Sequence, residues 1–151
     1  MLRTYNSTAF PLSILLAEDD SLLPVVFNSH IQVFKANDYN FFHSPFIYLN
    51  WPCFECQSIR KFYMHTLPRE QVMKFIENSI DQGYYLISYI DEFFVPERTA
   101  YQTYHYVHDN LLYGYDEENY YIIGYNFKGN YSSTAVNKQS YIASLFNDDR
   151  I

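Results

Sequence analysis

Cysteine is nearly absent from this chain of 151 residues: it has two, Cys53 and Cys56, too few for a disulfide framework and spaced as a redox or metal pair would be. Glycine is almost as scarce, with four residues, and no Gly/Ser linker, repeat or low-complexity tract divides the sequence. One compact domain over residues 1–151 is therefore expected. Positive charge is short as well. Ten Lys and Arg stand against 17 Asp and Glu, a formal charge of −7, so a phosphate backbone would be repelled and nucleic acid is not an expected partner. No apolar run approaches the roughly 18 residues that a membrane span needs, so no membrane partner is expected either. The first residues imitate a signal peptide only in outline. Residues 5–8 are polar, and Pro11 and Ser13 interrupt the apolar stretch that follows. With so few thiols, the expected location is the reducing cytoplasm.

Aromatic residues are abundant, at 21% with 17 Tyr and 13 Phe, which is enough for a substantial core. Ser7 or Thr8 can cap a helix carrying Pro11 in its first turn and Leu12, Leu15 and Leu16 at helical spacing, until Asp19, Asp20 and Pro24 stop it. Residues 25–34 mix β-branched and polar side chains, and 46–51 read as a short strand before Pro52. Thr66 and Pro68 open a second helix with Val72, Phe75, Ile76 and Ile80 on one face, and Gly83 suits its left-handed stop. Residues 84–90 form an apolar and aromatic run typical of a buried strand, closed by Asp91 and Glu92. Residues 105–115 and 120–127 form two further strands joined at 116–119, and 134–146 is expected to be helical. This order predicts an α+β fold with an antiparallel sheet.

The residues best suited to chemistry lie in His105-Tyr-Val-His108-Asp109-Asn110-Leu-Leu-Tyr-Gly114-Tyr115-Asp116. Side chains alternate along a strand, so His105 and Asp109 face one way and His108 and Asn110 the other, and the two histidines should not share a metal. No metal or other cofactor is expected. Asp91 and Glu92 end the neighbouring strand, where one carboxylate could reach a histidine ring; the plain alternative is a solvated strand end. The loop 93–104, with Pro96, Arg98 and several tyrosines, suits a lid or a substrate wall. Trp51-Pro-Cys53-Phe-Glu-Cys56 has thioredoxin-like spacing without the βαβ context, so a redox or zinc module competes with two buried thiols.

A histidine, a few apolar residues, Tyr113-Gly114-Tyr115-Asp116 and then a second strand together resemble the histidine hairpin of papain-like cysteine peptidases that process bacteriocin leaders. They resemble still more the N-terminal domain of butirosin biosynthesis protein H and related papain-fold proteins of antibiotic gene clusters. The resemblance runs over residues 83–127, with a weaker match over 5–16. It implies a papain-like fold whose N-terminal helical region packs on the antiparallel sheet, and it places the general base on His108. The spacing of Leu12, Leu15 and Leu16 puts Ser7 where the family has its nucleophilic cysteine. Asn126 falls near the position of the orienting acid, and an asparagine can orient a histidine in papain-like sites. Ser7 equally fits an N-cap, and His108 a packed strand-end histidine.

The activity that the resemblance implies is acyl transfer, or amide-bond formation or cleavage, on an acyl or peptidyl thioester in bacterial specialised-metabolite assembly of the nonribosomal peptide type. Candidate catalytic residues are His108, Ser7, Asn126, Asp91 and Glu92. If the base only deprotonates an incoming amine, no cysteine is needed. A carrier protein bearing the thioester is generally acidic, so docking requires a basic patch from Arg60, Lys61, Arg69 or Arg98. The competing expectation is a catalytically inactive papain-like domain that binds a peptide, a carrier protein or a partner enzyme.

Overall fold

The computed structural model describes residues 6–19, 21, 24, 55 and 57–147. Residues 25–34 and 46–51, and the Cys53/Cys56 pair, lie outside the described residues. Two compact units are distinguished, Thr4–Ser58 in one and Met1–Arg3 with Ile59–Ile151 in the other.

In the first unit, helix α1 spans Asn6–Glu18 with Pro11 inside it. Ala9, Phe10 and Leu15 are buried, and the Ser13 hydroxyl donates to the Ala9 carbonyl one turn back. The helix begins one residue ahead of the expected cap. Ser7 is therefore its second residue rather than the residue before it.

The second unit is α+β. It runs α2 (Lys61–His65), α3 (Arg69–Asp81), β1 (Leu86–Asp91), a 3-10 turn (Glu92–Phe94), β2 (Val107–Tyr115), β3 (Asn119–Tyr125), β4 (Tyr131–Asn137) and α4 (Lys138–Phe146). The four strands form one antiparallel meander in the order β1-β2-β3-β4. α3 is the helix that the spacing of Val72 and Ile76 predicts, and both are buried. Phe75, expected on the same face, is exposed at the edge of that stripe. Gly83 follows with φ +83°, a conformation that costs glycine little because it has no Cβ.

β2 and β3 are joined by a turn that Asp116 builds, its Oδ1 accepting the amides of Glu118 and Asn119. A register shift between Leu112 and Gly114 marks a bulge in β2. Residues 131–137 correct the sequence reading, which ran a helix back to Thr134. They form β4, because Thr134 and Val136 alternate inward with period two while Ser133 and Ala135 stay exposed. The helix starts only after Asn137, whose side chain caps it by accepting from the Gln139 amide.

One face of the sheet carries the core. Ile90, Leu112, Tyr120, Ile122 and Val136 from the strands meet Val72 and Ile76 of α3 and Tyr141, Ile142 and Leu145 of α4. Tyr120 and Tyr141 meet edge to face with centroids 5.2 Å apart. Ser88, Asn110 and Tyr141 pair their polar atoms within this layer. Asn110 donates to the Ser88 carbonyl at 2.7 Å, and the Tyr141 hydroxyl lies 2.9 Å from the Ser88 hydroxyl.

Candidate functional site

The chemistry-bearing residues converge where β1 ends and β2 begins. Asp91 is the last residue of β1, and its side chain is 1% exposed as a residue, a burial that a carboxylate tolerates only when its oxygens are engaged. They are. Oδ1 accepts the amides of Phe93 at 3.0 Å and Tyr106 at 3.1 Å, which fixes both the 3-10 turn and the return of the chain into β2. Oδ2 lies 2.6 Å from His105 Nδ1 and accepts from Asn147 Nδ2 at 2.8 Å. The same Asn147 amide nitrogen is 3.2 Å from His105 Nδ1. Burial pushes the Asp91 carboxyl up, but the bonds from Asn147, the Phe93 amide, His105 and the Tyr106 amide outweigh it and hold the group below the ordinary carboxylate value.

His105 precedes β2, so the strand alternation that set it opposite His108 does not govern its direction. Its ring stacks on Phe93 with centroids 4.6 Å apart, and its side chain stays 46% exposed. An ionised carboxylate only accepts, so the neutral ring carries its proton on Nδ1 and keeps a lone pair on Nε2. Among the described residues, Nε2 has no hydrogen-bond partner.

His108 lies on β2 opposite Ile90. Glu92 Oε1 is 3.5 Å from its Nδ1 and Asp109 Oδ1 is 3.6 Å from its Nε2, so both ring nitrogens face carboxylates. Tyr106 stacks on the ring. The Glu92 contact raises the His108 pKa above its ordinary value; burial opposes this, the Asp109 and Glu92 charges add to it, and Arg98 subtracts from it.

The connecting loop is pinned rather than free. The Glu92 amide donates to the Tyr106 carbonyl, Gln102 to Phe93, and Phe127 to Glu97. Glu97 and Gln102 both take positive φ, 62° and 51°. The side chain of Arg98 is buried beneath the loop, and its Nη1 donates to the Tyr125 carbonyl at 2.9 Å. This burial helps to hold the loop in place. It also removes Arg98 from the basic patch expected to dock a carrier protein, while Arg60 and Arg69 are exposed.

The structure thus joins Asp91 to His105 and Glu92 to His108. It does not join Asn126 to His108. Asn126 Oδ1 accepts the amides of Lys128 and Asn130, and its Nδ2 faces the Ser132 hydroxyl, so the side chain builds the β3–β4 turn. The side chain of Ser7 lies outside the described residues. In the sequence His105 stands out only as a candidate metal ligand, and Asn147 does not stand out at all. The signal for His105 was present in a buried-strand carboxylate followed by a short turn; for Asn147, at the far end of α4, there was none. Among the described residues, no group of three or more His, Cys, Asp or Glu is arranged to hold a metal ion. No described helix is long and apolar enough to cross a membrane. No protein-family model and no curated protein matches the chain.

Proposed function

We propose that this chain is a papain-like acyl-transfer domain acting on an acyl or peptidyl thioester, with His105 as its general base. The observation that carries the reading is the imidazole with Nδ1 on a buried, fully engaged carboxylate and Nε2 unpartnered among the described residues. A base so held keeps one tautomer and one orientation, the service that the third member of a catalytic triad performs. The base moves from His108, where the resemblance puts it, to His105. Both nitrogens of His108 face carboxylates, a setting that holds a proton rather than removes one.

In the simplest reaction an acceptor amine attacks the thioester carbonyl while His105 Nε2 takes the N–H proton. The C–N bond forms, the C–S bond breaks, and the departing thiolate recovers the proton from the imidazolium. Atoms and charges balance without a cysteine. Ser7 as nucleophile, giving an acyl ester before the amine attacks, is the variant that retains the family's covalent step.

The test offers the purified full chain a panel of N-acetylcysteamine thioesters with amine acceptors, reading products and intact protein mass. Amide formation with release of thiol, and no mass adduct, is the expected result. An acyl adduct abolished by Ser7→Ala selects the covalent variant. Absence of turnover across the panel, with thioester binding retained, replaces catalysis by the inactive binding domain.

A further inference from the structure

Arg98 is 6% exposed, and a guanidinium so buried carries a large desolvation cost. Its partners do not account for it as a stability device. Nη1 has the Tyr125 carbonyl, Nε lies 3.9 Å from Glu92 Oε1, the Glu97 charge adds to that of Glu92, and Nη2 is buried with no hydrogen-bond partner among the described residues. Neutral residues of the same volume would avoid the orphaned donor. The seat is also specific. A Cβ on Gly124 would lie 3.0 Å from Nη2, so glycine at this β3 position leaves room for the guanidinium. The oxygen that faces Arg98 Nε, Glu92 Oε1, is the same oxygen that lies 3.5 Å from His108 Nδ1.

We infer that Arg98 is a positioning residue of the histidine site: anchored on the Tyr125 carbonyl and seated against Gly124, it fixes the Glu92 carboxylate on His108 Nδ1. The inference goes beyond the acyl-transfer reading, in which His105 is the base, and concerns the second histidine of the same corner. The contact itself can be tested without any substrate.

The groups facing His108 are Glu92 from the turn, Asp109 from its own strand, Arg98 from the loop and the stacked Tyr106. Arg98 acts on His108 in two opposed ways. Its own positive charge disfavours the imidazolium, whereas holding Glu92 in place favours it. The sign of the change on removing Arg98 therefore separates positioning from bare charge.

The experiment is an NMR titration of the His108 ring in the full chain, with amide spectra confirming that each variant is folded. Glu92→Gln is expected to lower the His108 pKa, and Arg98→Met to lower it as well because Glu92 swings free. Arg98→Lys, which keeps the charge and loses the fork, is expected to lower it too. A His108 pKa that rises or stays in place in Arg98→Met, or does not respond to Glu92→Gln, overturns the inference. Should Arg98→Met not fold, Arg98→Lys carries the test: a lowered pKa is expected there, and a raised or unchanged titration overturns the inference. A His108 shift without thioester turnover would keep the role of Arg98 and remove the acyl-transfer reading; turnover with an unmoved His108 would do the reverse.

Discussion

Asp91 Oδ2 lies 2.6 Å from His105 Nδ1, joining the last residue of one strand to the residue two places before the next across a separation of 14 positions. The carboxylate that turns the chain at the end of β1 is thus the one that orients the imidazole. Fold and candidate chemistry share a side chain, so a change at Asp91 should register in both.

Replacing Asp91 by Ala removes the acceptor for the Phe93 and Tyr106 amides, His105 and Asn147. Donors left without a partner in a poorly solvated corner cost about 2–3 kcal/mol in all. The urea midpoint should fall accordingly with the slope unchanged. The acid limb carries a matching sign. The folded-state pKa of Asp91 is depressed, so its stabilisation is present above the unfolded carboxylate value of about 3.9 and is lost as the pH falls through the lower folded value. Asp91→Asn should flatten that part of the stability profile.

His108 has the opposite dependence. Its folded-state pKa is raised, first by the Glu92 contact, so its stabilisation is complete below the unfolded value of about 6.5 and is lost as the pH rises through the folded value. Urea midpoints measured from about pH 6 upward should decline more steeply in the wild type than in Glu92→Gln. Parallel profiles would remove the coupling between Glu92 and His108.

The core makes a separate prediction. Leu112 is fully buried between β1 and β3 beneath the two helices, whereas Phe62 on α2 is 71% exposed. Leu112→Ala should cost about 2–5 kcal/mol through lost burial and the cavity left behind. Phe62→Ala should stay within about 0.5 kcal/mol, because most of its surface is already exposed. Chemical denaturation of the two variants side by side provides the check.

Local pattern exposed part of this architecture. Val72 and Ile76 at helical spacing, with Gly83 behind them, mark α3, and the apolar run ending at Asp91 marks β1, because each element buries one face and so shows its period. β4 was hidden because Tyr131-Ser-Ser-Thr-Ala-Val-Asn places only Thr134 and Val136 inside, too few for a visible alternation. The short helix α2 has no fully buried residue, only Met64 packing partly against the core, and carries no periodic signal. At the site, Asp91, Glu92 and His108 were reachable from sequence because they sit in or beside strands. The pairing of Asp91 with His105 depends on where the chain re-enters the sheet, and Asn147 arrives from the end of α4. Both are tertiary facts without a local signature.

The reading stands most directly on the rate of thioester aminolysis in His105→Ala relative to the wild type, measured on one N-acetylcysteamine thioester and one amine at a pH where the wild type is active. Loss of the general base should lower that rate about a hundredfold or more while the amide spectrum stays folded. A His105→Ala protein that turns over the thioester at the wild-type rate would contradict the account.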